Sequence, residues 1–161
     1  MNNTEVASDV TDVLALRSLA QQFHIPQTIL LVEDEAFVRE MTCDILEAAG
    51  YRVLKAGNAA EAKAVFCSLG KTVKLLVTDV VLPGKNGRQL AKELTTTNSG
   101  LTVIFISGYP QEVAAQAASA IDRAFYLSKP FSAEALLSKV RQLLARDSEE
   151  MSQFWFELCG S

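Results

Sequence analysis

The chain has 161 residues, about half of them apolar, a formal net charge of −4 and three cysteines, which is enough for one domain with a proper core and short extensions. Lys and Arg are scattered and outnumbered by Asp and Glu, so there is no basic footprint for direct nucleic-acid binding. No apolar run approaches the ~20 residues of a membrane span, and an N-terminus carrying Glu5 and Asp9 lacks the basic start of a signal peptide, so the expectation is a cytoplasmic chain without membrane insertion. Cys43, Cys67 and Cys159 fit no metal or redox spacing and read as reduced thiols, the first two as small core residues.

In chain order, residues 1–27 are an extension in which Val13, Leu16, Ala20 and Phe23 recur at helical spacing, predicting an amphipathic helix over 9–23. Residues 28–32, TILLV, predict a strand with no polar side, as expected where helices cover both faces. A helix follows over 36–49 with Val38, Met41, Ile45 and Leu46 on one face, stopped by Gly50 at C′. Residues 52–56 predict a second strand, and Asn58-Ala-Ala-Glu61 resembles a capping box opening a helix to about Leu69. The third strand is 74–78; after Pro83-Gly84 a helix runs from about Gly87 to Thr95, and a fourth strand spans 101–106. An Ala-rich helix over 111–120, a fifth strand over 124–127 and a helix N-capped by Ser132 and ending near Ala145 complete the pattern. The alternation predicts an α/β fold of five β/α units, a parallel sheet over residues 28–146 with helices on both sides. Residues 147–161 form a tail in which Phe154, Trp155 and Phe156 would be costly to leave exposed; they dock back on the fold, make a homodimer contact or serve as a partner-binding peptide.

Polar stations stand at the exits of these strands: Glu33-Asp34 after TILLV, Asp79 after KLLVT, Ser107 after the fourth strand and Lys129-Pro130 after AFYLS. Open α/β sheets place their ligands at the carboxyl ends of their strands, so all four converge on one edge. Taken singly, each has an ordinary structural reading as a solvated turn, a cap or a surface charge. The joint placement is what points to a site.

VEDE after the first strand, TDVVLPGKNG around the third, FISGY at the fourth and YLSKPF at the fifth resemble the receiver domain of bacterial two-component response regulators, closest in wording to receivers of hybrid sensor kinases. The resemblance covers residues 28–146 and implies a flavodoxin-like (βα)5 fold with strand order 2-1-3-4-5, here with an extra N-terminal helix. It implies a single-domain response regulator, not an enzyme in the usual sense, phosphorylated on Asp79 by a partner histidine kinase or histidine phosphotransfer protein and acting on a downstream protein. His24, the only histidine, lies in HIPQ with no acidic residue after it, so the phosphoryl donor is expected on a separate chain. Two positions depart from the family's common wording: Lys85 stands where a methionine is frequent, and Glu33-Asp34 where two aspartates are frequent. Lys129-Pro130 resembles the family's cis peptide.

An aspartate accepts a phosphoryl group only if charge repulsion with the donor is neutralised, so the gathered carboxylates imply a hard divalent cation, Mg²⁺, with Mn²⁺ as a substitute. Asp34 and Asp79 are candidate direct ligands, the Val81 backbone carbonyl a third, and Glu33 a ligand through water. Asp79 is the candidate nucleophile; Lys129 and Ser107 are candidates for the phosphoryl oxygens. Tyr126 stands where the family's switch aromatic lies, and with Ser107 implies a switch in which the ring turns inward after phosphorylation, the inward ring being a minor state beforehand. Residues 108–145 are then the expected surface for dimerisation or a downstream partner.

Three other readings compete. A haloacid-dehalogenase-like phosphatase needs an acid two residues after the nucleophile, where this chain has Val81. A receiver-like adaptor that is never phosphorylated is disfavoured by retention of every site residue, and a flavodoxin-type flavin site by the two carboxylates after the first strand.

Overall fold

The five apolar runs pair into one parallel sheet in the computed structural model, which describes residues 25–108 and 121–145. The strands are β1 (Thr28–Val32), β2 (Arg52–Ala56), β3 (Val73–Asp79), β4 (Thr102–Ser107) and β5 (Ala124–Ser128), in spatial order β2-β1-β3-β4-β5. Among the described residues the helices are α1 (Ala36–Ala48), α2 (Ala59–Leu69), α3 (Gly87–Thr97) and α4 (residues 133–145). This is the predicted flavodoxin-like order.

Alternate residues of each strand feed two separate cores. Leu30, Val32, Leu76, Val103 and Phe105 join Ala62 and Phe66 of α2 and Leu90, Ala91 and Leu94 of α3 on one face. Ile29, Leu31, Leu75, Val77, Ile104 and Ile106 join Cys43 and Leu46 of α1 and Leu136, Val140 and Leu143 of α4 on the other. That is why β1 and β4 are buried at every position, each full aliphatic burial contributing roughly 1.5–3 kcal/mol.

Local chemistry sets the helix ends. Gly50, at φ 92°, closes α1 in a Schellman turn: its amide donates to Glu47 O at 2.9 Å and that of Tyr51 to Leu46 O at 3.2 Å. Asn58 Oδ1 accepts from the Glu61 amide at 2.9 Å, and Glu61 Oε2 reaches back to the Gly57 amide at 2.7 Å, one residue before the cap. Ser132 Oγ accepts from the Ala135 amide at 3.0 Å at the start of α4. Helix α3 continues two residues beyond the predicted Thr95, and within it the hydroxyls of Thr95 and Thr96 are satisfied on the carbonyls of Ala91 and Lys92, each at 2.8 Å.

Two sequence expectations are corrected. Met41 is 44% exposed, because α1 turns about 100° per residue and buries Thr42, Cys43 and Leu46, leaving Met41 beside Phe37, itself 75% exposed. Cys67 is also exposed, one step off the buried Ala59, Ala62 and Phe66 line of α2, whereas Cys43 is buried as expected. The predicted helices at 9–23 and 111–120, His24, Cys159 and the aromatics at 154–156 lie outside the described residues.

Candidate functional site

Strand β1 connects outward to β2 on one side while β3 lies on its other side, so the chain reverses its direction of travel between β1 and β3. Open α/β sheets bind their ligands at such a point, beyond the carboxyl ends of the strands. Val32 pairs with Thr78 and Asp79 with Ile106, which lines up Glu33, Asp79 and Ser107 along the edge. Strand β3 runs to Asp79 itself, one residue further than predicted, so the carboxylate projects from the last rung.

Glu33 is buried, and each of its carboxylate oxygens is held: Oε1 accepts from the Glu35 amide at 3.1 Å and Oε2 from Lys129 Nζ at 3.0 Å. Asp79 Oδ2 accepts from the same ammonium at 2.7 Å and Oδ1 from the Val81 amide at 2.9 Å. Asp34 is exposed. One carboxylate oxygen from each of Glu33, Asp34 and Asp79 lies within 4.8 Å of the others. Burial holds the Glu33 carboxyl above the usual carboxylate range, the nearby Asp79 charge adding to it against the Glu35 amide and Lys129. For Lys129, burial works against the charge, but the bonds to Asp79 and Glu33 outweigh it and raise its pKa.

The remaining predicted residues sit around this cluster. Ser107 is buried at the end of β4; its carbonyl accepts the Lys129 amide at 2.9 Å and the Tyr126 hydroxyl at 3.2 Å. Tyr126 is half-buried against the α2 and α3 core, its hydroxyl on protein rather than in water. Val81 is 53% exposed, and its amide is the group that meets the Asp79 carboxylate. The Lys129-Pro130 peptide is cis. Lys85 pairs with Glu93 of α3, as does Lys63 of α2.

Sequence reasoning missed three supporting residues. Thr78 Oγ1 donates to the Asp79 carbonyl at 3.0 Å. Gly87 lets α3 start against that same carbonyl, since a Cβ there would fall 2.0 Å from the oxygen. Arg39 Nη1 donates to the Glu33 carbonyl at 2.7 Å. A cation one turn into the helix that follows two acids was the available signal for the last.

Residues 29–141 match the model of the response regulator receiver domain, and the chain belongs to that family. It is 37% identical over 119 residues to the sensor kinase CckA of Brucella abortus, covering 74% of this chain and 13% of that one. It is 33% identical over 116 residues to the response regulator receiver protein CpdR of the same organism, covering 72% of this chain and 95% of that one. The crystal structure of the receiver domain of the hybrid histidine kinase CckA superimposes with a TM-score of 0.63 at 34% identity, over 73% of this chain and 98% of that chain. Of the first curated relatives the chain spans only 13% to about half of the length. Receiver domains are phosphoacceptor signalling domains that interact with histidine kinases or phosphotransfer proteins and bind Mg²⁺ at an acidic pocket. Three convergent carboxylates are the hard oxygen donors such an ion requires, so the residues present fit it. No described helix is long and apolar enough to cross a membrane.

Proposed function

We propose that Asp79 accepts a phosphoryl group from a phosphohistidine on a partner kinase or phosphotransfer protein, and that the phosphorylated chain signals by binding another protein. The observation that carries this is the joint geometry of Asp79 and Glu33 on one ammonium, at 2.7 and 3.0 Å, with Asp34 completing the carboxylate cluster. A carboxylate oxygen of Asp79 attacks phosphorus as the bond to the donor imidazole breaks, the electron pair leaving with the imidazole. Glu33, Asp34 and Asp79 would hold Mg²⁺, which supplies the charge neutralisation that lets two anions approach. The Val81 amide fixes one Asp79 oxygen and so orients the other for attack. Lys129 passes from its two carboxylates to a phosphoryl oxygen, and the Ser107 hydroxyl donates to another.

Output runs through Ser107 and Tyr126. The tyrosine hydroxyl already sits on the Ser107 carbonyl at 3.2 Å, so a shift of Ser107 toward the phosphoryl group moves the ring's anchor. On the input side, Phe37 and Met41 stand exposed on α1 directly after the acidic loop, and Val81 beside Asp79, giving an apolar rim on which a donor helix would seat. Incubation with Mg²⁺ and acetyl phosphate, read by intact-mass spectrometry and hydroxylamine lability, tests the assignment. A hydroxylamine-labile adduct that is lost in Asp79→Asn is expected; undiminished labelling in that variant would overturn it.

A further inference from the structure

Arg39 takes no part in the chemistry above, yet its guanidinium turns back from the first turn of α1 onto the loop that carries both β1 acids. Nη1 donates to the Glu33 carbonyl at 2.7 Å and reaches the Asp34 carbonyl at 3.5 Å. The first is a full hydrogen bond and the second stands at the outer limit, so Glu33 is the anchor. The guanidinium rests beside Gly57, where a Cβ would come within 3.3 Å of Nη1. The Gly57 amide is itself held by Glu61 Oε2 at 2.7 Å, which ties this corner to the start of α2.

We propose that Arg39 is a positioning residue of the cation pocket: by clamping the Glu33 and Asp34 carbonyls it fixes the loop from which both carboxylates project toward Asp79. Glu33 has a second set of restraints in Lys129 and the Glu35 amide. Asp34 is exposed, and among the described residues the Arg39 guanidinium approaches its carbonyl at 3.5 Å. Two effects oppose each other. A cation beside an acidic pocket repels Mg²⁺, whereas a brace on the ligand-bearing loop reduces the ordering that binding requires. The guanidinium bonds the carbonyl side of the loop, not the carboxylates, so bracing outweighs repulsion.

The inference rests on the reading of Glu33, Asp34 and Asp79 as a Mg²⁺ pocket. The test is calorimetric titration of the full chain with Mg²⁺ alone, together with melting in EDTA. Arg39→Gln should bind Mg²⁺ about tenfold more weakly, in line with other groups that orient metal ligands. Arg39→Lys keeps the charge and a donor group able to reach one carbonyl, losing only the planar fork, and should recover to within about threefold. Both variants should melt in EDTA as the unmodified chain does. Equal or tighter Mg²⁺ binding in Arg39→Gln would overturn the proposal, as would an EDTA melting loss as large as the loss in Mg²⁺. Failure of the unmodified chain to bind Mg²⁺ would overturn the pocket itself, a distinguishable result.

Discussion

Replacing Gly87 with alanine places a methyl group 2.0 Å from the Asp79 carbonyl oxygen, 3.0 Å from its carbonyl carbon and 3.1 Å from the Thr78 hydroxyl. The first two are backbone atoms, so no flexible side chain can yield, and about 1 Å must be found by moving one element against another. If α3 retreats, the bond from the Gly87 amide to the Val80 carbonyl, 2.9 Å, is stretched. If the end of β3 moves, Asp79 is carried away from Lys129 and the Val81 amide. Either way the cost is that of overpacking, about 1–3 kcal/mol, which lowers the melting temperature by roughly 5–15 °C for a domain of this size. A nucleophile displaced by about that distance should be phosphorylated on the order of 10²-fold more slowly. Initial rates of acetyl phosphate labelling, measured well below the melting transition, read the second effect separately from the first. Gly84→Ala is the control: its φ of 75° imposes left-handed strain, but nothing lies within 4 Å of a Cβ there, so labelling should change little. A Gly87→Ala chain that melts and labels like the unmodified one would refute the packing argument.

Phe37→Glu on the exposed face of α1 should leave melting and acetyl phosphate labelling unchanged while slowing transfer from a phosphohistidine protein about tenfold or more, as loss of a central apolar contact does; equal transfer rates would remove α1 from the donor surface. Burial, with Glu47 adding to it, pushes the Cys43 thiol up to about 11 from 9.0, so the folded state holds that proton more tightly than the unfolded chain. Stability should therefore fall as pH rises from about 9 to about 11, by on the order of 2 kcal/mol, and iodoacetamide at pH 8 should modify the exposed Cys67 but not Cys43; early labelling of Cys43 would contradict its burial. For the switch, structures with and without a beryllofluoride mimic at Asp79 should differ in the Tyr126 rotamer and in the Ser107 position; identical conformations would remove both residues from signalling and leave the phosphoryl chemistry standing.

The sheet was legible because a strand covered on both faces has no polar side to confuse the pattern: TILLV is buried at all five positions, its one polar residue, Thr28, included. Glu33, Asp34, Asp79 and Lys129 were legible by their place after such runs. Arg39 was not, since a cation on an amphipathic helix reads equally as a solvated charge, and only the folded loop brings the Glu33 carbonyl to it. Gly87 read only as the start of a helix, whereas its requirement is the absence of a side chain where that helix meets the end of β3. Met41 was misplaced because apolar spacing of three and of four residues both satisfy a helical stripe, and the choice depends on how the helix is rolled against the sheet. The Lys85–Glu93–Lys63 arrangement joins residues from two helices and a loop, which no local pattern encodes.

The sorting of alternate strand residues into two cores gives the molecule a front and a back. Helix α1, with its exposed Phe37 and Met41, is bolted to one side through Cys43 and Leu46, while the Tyr126 ring lies with α2 and α3 on the other. Asp79 stands on the seam between them, at the rim of the sheet. A protein delivering a message at α1 and one reading it at Tyr126 would therefore meet the molecule from opposite directions, and the incoming messenger need not leave before the news is collected.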